Sequence, residues 1–100
     1  MIYHGVEQTV SGAVYRVGAA VLDLDDPTIV RRRTQQWLLS PETPYERVGD
    51  VANVIFPCGT TIDATGALRL YYGAADTTVC VATSSLTTLL DLLAQPECAV

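Results

Sequence analysis

The chain has 100 residues, 49% hydrophobic and 17% charged, which makes it one domain or part of one and excludes intrinsic disorder. Six basic residues, all arginine, face eleven acidic ones, and a net charge of −5 argues against a nucleic-acid partner. No apolar run approaches the roughly 18 residues of a membrane helix, and Met1–Gly5 lacks the start of a signal peptide, so the chain reads as soluble, cytoplasmic and without a membrane partner.

Strand signals dominate from the N-terminus onward. Ile2–Val6 is β-prone, and Ala13–Leu24 is rich in valine, tyrosine and leucine until Asp25-Asp26-Pro27 interrupts it. Arg31-Arg32-Arg33 is the one basic cluster, read as a solvated loop or strand edge. Thr34–Ser40 is expected to form a further short strand ended by Pro41. A polar connection, Glu42–Asp50, leads into a strand over Val51–Cys58 that Thr60–Asp63 continues. Ala64-Thr65-Gly66 makes a turn whose glycine can take positive φ. Leu68–Gly73 and Thr77–Thr83 give two more strands around the tight Gly73–Asp76 connection. The period then changes: Leu86, Leu89, Leu90 and Leu93 fall on one helical face, with Ser84 or Ser85 as cap and Pro96 as terminator.

The fold class is therefore all-β with a short C-terminal helix over about 85–95. Tyr3-His4-Gly5-Val6 and Tyr71-Tyr72-Gly73-Ala74 form a weak repeat, giving two blade-like units over about 1–40 and 51–83. Repeats of that size fit β-propeller blades, of which the chain holds fewer than the roughly four that close a ring.

Few residues carry chemistry. There is no GxSxG elbow, P-loop or GxGxxG. Cys58, Cys80 and Cys98 are odd in number and lack CxxC spacing, so they are expected to be reduced and mostly buried. The single histidine cannot complete a Cys/His zinc site, and Asp23, Asp25 and Asp26 lack the ligand spacing of a calcium loop. Three positions stand out. His4, at a strand end, can donate to an anion or be satisfied by backbone. Asp76 follows the small residues Gly73-Ala74-Ala75, where its carboxylate can hold sugar hydroxyls or cap a turn. Phe56 precedes Pro57-Cys58-Gly59 and is either core or a ligand-facing aromatic ring.

Tyr3-His4-Gly5, Tyr15–Ala20 with Leu22–Pro27, Tyr45-Glu46, Gly49-Asp50-Val51, Asn53–Gly59 and Tyr71–Thr77 occur in that order. Together they resemble the C-terminal third of glycoside hydrolase family 130, the β-mannoside phosphorylases and related mannosidases. The resemblance implies part of a five-bladed β-propeller. It implies cleavage of β-1,4-mannosides by inorganic phosphate with inversion to α-mannose 1-phosphate, and no metal or organic cofactor. It assigns His4 to the phosphate site, and Phe56, Asp76 and, less directly, Tyr15 to the mannosyl unit. The family's general acid and most of its phosphate-binding arginines and lysine belong to earlier blades, so no catalytic residue is assigned in this chain. It contains no lysine. Losing a general acid alone costs about 10²–10⁴ in rate, and the chain by itself is expected to be inactive. The alternative is a standalone, non-catalytic β-module that self-associates through open strand edges and keeps residual sugar or anion binding.

Overall fold

Eight residues of β1, Ile2–Thr9, return as β2, Gly12–Leu22, in an antiparallel hairpin. Gly12 closes it at φ 111°, a left-handed conformation that costs glycine nothing sterically. The computed structural model, which describes residues 1–100, continues with β3 (Val30–Arg33), α1 (Pro44–Arg47), β4 (Ile55–Ile62), β5 (Ala67–Ala74), β6 (Thr78–Ser85) and α2 (Leu86–Leu93). A 3₁₀ turn over Pro96–Cys98 follows. Two three-stranded antiparallel sheets result, ordered β1-β2-β3 and β4-β5-β6. The fold is all-β with one C-terminal helix of two turns.

The sheets join because β2 is served on its second edge by three short partners in succession. β3 pairs with Ala20–Leu22. Val17 N–H then donates to Leu39 O at 2.9 Å, and Tyr15 N–H donates to Asn53 O at 2.9 Å. The last bond brings the start of β4 beside β2 and sets one sheet against the other. Between them lies the core of Val17, Ile55, Tyr72 and Ala74, with Ile2, Leu39, Leu70, Cys80 and Ala82 packed around it. Only 14 of the 100 residues are buried, so most strand faces outside that seam remain uncovered.

The helix is built as its leucines require. Ser85 is the N-cap, its Oγ accepting from Thr88 N–H at 3.0 Å. Leu86 and Leu89 turn inward and Leu93 is buried, while Leu90 stays exposed. At the other end Arg32 donates to the Leu93 and Gln95 carbonyls at 3.0 and 3.2 Å, the first a carbonyl the helix leaves unpaired and the second shared with Cys98 N–H. Arg32 is thus a half-buried member of β3, whereas Arg31 pairs with Asp23 at the surface.

Two expectations are corrected. Thr34–Ser40 is not a strand: Thr34 bonds Ala19 and Leu38–Leu39 bond Val17, and the stretch between crosses β2's edge as an irregular link with Trp37 exposed. Its Gln-Gln-Trp-Leu-Leu composition is β-prone, but Val17 and Ala19 bond only its two ends, and Gln35-Gln36-Trp37 between them make no backbone bond to β2. The cysteines are all free, yet only Cys98 is buried; Cys58 is exposed and Cys80 is intermediate. Cys58 sits at the β4 bulge between Pro57 and Gly59, where the register shift leaves it without a cross-strand partner.

Candidate functional site

In the first hairpin His4 is register partner to Val17, and Val6 to Tyr15. Cross-strand partners share a sheet face, so His4 and Tyr15 are diagonal neighbours on the face that meets the second sheet. Their rings lie 5.8 Å apart, centroid to centroid. From the second sheet Phe56, at the start of β4, brings its ring to 4.6 Å from that of His4 at an interplanar angle of 38°. His4 and Tyr15 are half-buried and Phe56 is 47% exposed, leaving an aromatic surface open on one side. Three of the four residues singled out from sequence therefore converge where the sheets meet.

Asp76 lies in the β5–β6 turn rather than in that cluster. The turn is connected to it through Gly73, the register partner of Phe56, and Ala74, the partner of Ile55. Ala75 and Asp76 both take left-handed φ, 49° and 55°, and Thr77 N–H closes the turn on Ala74 O at 3.0 Å. Such backbone is costly for alanine, by about 1–2 kcal/mol, and persists only where surroundings impose it. Here Ala75 is fully buried, its N–H donates to Val54 O at 2.9 Å and its carbonyl accepts from Val51 N–H at 3.1 Å. The Asp76 carboxylate is exposed.

One buried carboxylate was not singled out from sequence. Glu46, in α1, is 4% exposed and accepts from Tyr72 Oη at 2.6 Å and from the backbone N–H groups of Glu42 and Thr43 at 3.0 and 3.1 Å. Burial pushes its pKa up. The Tyr72 hydroxyl and the backbone donors outweigh it and hold the carboxyl below its ordinary value. Burial and the Glu46 carboxylate together push the Tyr72 phenol well up. The signal was present in Thr43-Pro44-Tyr45-Glu46, which has the spacing of a capping box with proline at the first helical position.

Four of the six arginines are engaged elsewhere. Arg16, beside Tyr15 in sequence, points to the opposite sheet face, where it pairs with Glu7, donates to Ser40 Oγ at 3.0 Å and stacks 4.0 Å over Trp37. Arg31 and Arg69 pair with Asp23 and Asp63, and Arg32 caps α2. Asp23 and Asp26 spend their carboxylates within their own turn, on the N–H groups of Asp25, Asp26 and Thr28. No three His, Cys, Asp or Glu side chains are grouped as a metal would require. The arrangement offers an imidazole donor and an apolar ring face, with an exposed carboxylate in the β5–β6 turn.

The family model described as beta-1,4-mannooligosaccharide phosphorylase, glycoside hydrolase family 130, matches residues 1–95. The beta-1,4-mannooligosaccharide phosphorylase of Ruminococcus albus is 48% identical over 90 residues, covering 89% of this chain and 27% of that protein. A beta-1,2-mannobiose phosphorylase of Thermoanaerobacter is 45% identical over 82 residues, 82% of this chain and 26% of that one. Among solved structures, the beta-1,2-mannobiose phosphorylase of Listeria innocua in complex with beta-1,2-mannobiose superposes with a TM-score of 0.78 at 36% identity. It matches over 92% of this chain and 26% of its own. The chain thus spans about a quarter of the length of the relatives it matches.

Proposed function

The chain belongs to glycoside hydrolase family 130, and from that premise we propose that it forms the phosphate- and mannosyl-facing wall of a β-1,4-mannooligosaccharide phosphorylase pocket. In that reaction a phosphate oxygen attacks the anomeric carbon of a terminal β-mannosyl unit as the glycosidic C–O bond breaks. The leaving oxygen takes a proton from a general acid, and the products are α-mannose 1-phosphate and a shortened mannoside. His4 donates an N–H to a phosphate oxygen. Phe56 offers its exposed ring to the apolar face of the sugar, Tyr15 borders the same space, and the Asp76 carboxylate accepts from sugar hydroxyls. The family resemblance puts the general acid and most of the cationic phosphate clamp outside these 100 residues; in keeping with it, the chain has no lysine, and Arg16, Arg31, Arg32 and Arg69 are engaged in other contacts.

The observation that carries this reading is the meeting of His4, Tyr15 and Phe56 across two sheets at 4.6 and 5.8 Å. The test is an incubation of the pure chain with β-1,4-mannobiose and phosphate, together with a mannobiose titration followed by NMR. No mannose 1-phosphate is expected, and shifts at Phe56 and Asp76 that vanish in His4→Ala or Asp76→Asn are. Turnover by the chain alone would refute the assignment of the general acid elsewhere. A titration without shifts would refute the sugar wall.

A second reading rests on the uncovered faces. β1 and β6 end their sheets, and β6 exposes Val79 and Val81 on the side away from the core. We read these as contacts for a second copy when the chain stands alone.

A further inference from the structure

The 46–54 segment is bonded to β5 at one end and to the β5–β6 turn at the other. At one end the Glu46 carboxylate takes the Tyr72 hydroxyl at 2.6 Å, and Tyr72 precedes Gly73, the register partner of Phe56. The Glu46 carbonyl accepts from Val54 N–H and the Arg47 carbonyl from Asn53 N–H, both at 3.2 Å, which folds the segment into a closed loop. At the other end that loop holds the β5–β6 turn. The Val54 carbonyl takes Ala75 N–H, Val51 N–H reaches Ala75 O, and Asp50 N–H donates to Thr77 Oγ1 at 3.0 Å. Gly49 lies so close that a β-carbon there would sit 2.4 Å from Ala75 O.

This continuous set of bonds is what keeps two consecutive non-glycine residues left-handed. Aspartate tolerates that conformation but alanine does not favour it, and the turn's own closing bond from Thr77 to Ala74 would be met equally by other turn types. We propose that Glu46 is a positioning residue: through Tyr72 and the 46–54 loop it fixes the left-handed Ala75–Asp76 pair and the entry of Phe56. The Asp76 carboxylate is thereby presented toward a β-mannoside. Its effect on sugar binding rests on the reading of Asp76 and Phe56 given above; its hold on the turn does not.

The experiment separates the two. Amide hydrogen exchange is measured on the 100-residue chain and on Glu46→Ala, Glu46→Gln and Tyr72→Phe, with Val17 N–H in the first sheet as internal reference. Loss of the carboxylate should lower protection of Ala75 N–H by about tenfold relative to Val17, as expected for one or two net hydrogen bonds. Glutamine, whose amide oxygen can take the Glu42 and Thr43 N–H groups while its NH2 donates to Tyr72 Oη, should restore most of it. Should Glu46→Ala fail to fold, Tyr72→Phe removes only the phenolic oxygen and carries the same comparison. Titration with β-1,4-mannobiose should weaken about tenfold in Glu46→Ala in step with the lost protection, with rescue by glutamine. An Ala75 amide equally protected in all four proteins overturns the proposal. A wild-type chain indifferent to mannobiose removes the sugar reading instead, and the Ala75-to-Val17 protection ratio then decides the positioning role by itself.

Discussion

The rings of His4 and Phe56 stand 4.6 Å apart although each belongs to the opening strand of a different sheet. No local rule brings them together. The contact depends on Tyr15 N–H donating to Asn53 O, which carries the β4 entry to the β2 edge, and on Asn53 accepting a φ of 57° there. Asparagine tolerates that conformation better than most residues. Because Phe56 is half-exposed, Phe56→Ala should cost only about 1 kcal/mol by urea unfolding, the scale of an aromatic pair. The same change should move the His4 ring proton resonances and abolish the mannobiose response. A variant that keeps both signals would show that the pair is incidental packing.

Gly49 makes a sharper case. A β-carbon at this position would lie 2.4 Å from Ala75 O, 2.5 Å from Thr77 Oγ1 and 2.8 Å from Ala75 Cβ, whereas Gly5 and Gly59 have nothing within 4 Å. Gly49→Ala should therefore destabilise the chain by about 1–3 kcal/mol, as overpacking against backbone does. Gly5→Ala and Gly59→Ala carry no such overlap and serve as controls in the same urea titration. Equal midpoints for Gly49→Ala and the controls would mean that the loop moves away without cost.

What the sequence revealed follows the range of each signal. The β5–β6 hairpin and the leucine face of α2 were readable because their determinants are local: alternation, a small-residue turn, a period of 3.6 and a serine cap. The ends of β4 were not. The expected start at Val51 falls in the loop, because Val51 N–H is committed to Ala75 O across the sheet. Thr34–Ser40 misled because it does reach β2, through Thr34 on Ala19 and Leu38–Leu39 on Val17, but the residues between those contacts make no ladder. The family resemblance singled out His4, Tyr15 and Phe56 without the ring contacts between them, while periodicity alone left His4 and Phe56 ambiguous. Glu46 passed as part of a polar connection because its main partner, Tyr72, lies on a distant strand; only the threonine-to-glutamate spacing hinted at it.

Acid should weaken the fold in a defined window. Asp63 accepts from Thr65 Oγ1, from the N–H groups of Ala67 and Thr65, and from Arg69, and these bonds, the Thr65 hydroxyl foremost, hold its carboxyl at about 2, below the ordinary 3.8. Asp23, Asp26 and Glu46 are lowered as well. Each group binds its proton less readily in the folded chain than in the unfolded one. The stabilisation is therefore complete above the unfolded value near 3.8 and drains away as pH falls toward about 2. Urea midpoints measured from pH 6 to pH 2 should fall below pH 4, and Asp63→Ala should flatten part of that slope. An unchanged slope in the variant would take Asp63 out of the acid response.

The uncovered face of the second sheet leads to the remaining prediction. Val79 opposes Gly73 and Val81 opposes Tyr71 across β5 and β6, so these side chains share the face turned away from Tyr72 and the core. Val79 is 80% exposed and Val81 50%, and both stand on a strand whose far edge has no partner. A flat apolar edge of this kind recruits another strand or sheet unless charge guards it, and no charged residue occurs within Thr78–Ser85. Light scattering over a concentration series should therefore give the mass of a dimer or larger assembly. Burying one valine is worth about 1.5–3 kcal/mol, so Val79→Lys should raise the dissociation constant by more than about tenfold. The folded chain should tolerate that change, since the Val79 side chain makes little contact within it. A wild-type mass that stays monomeric at every concentration would remove self-association and leave this face for whatever further chain a protein of the relatives' length would bring against it.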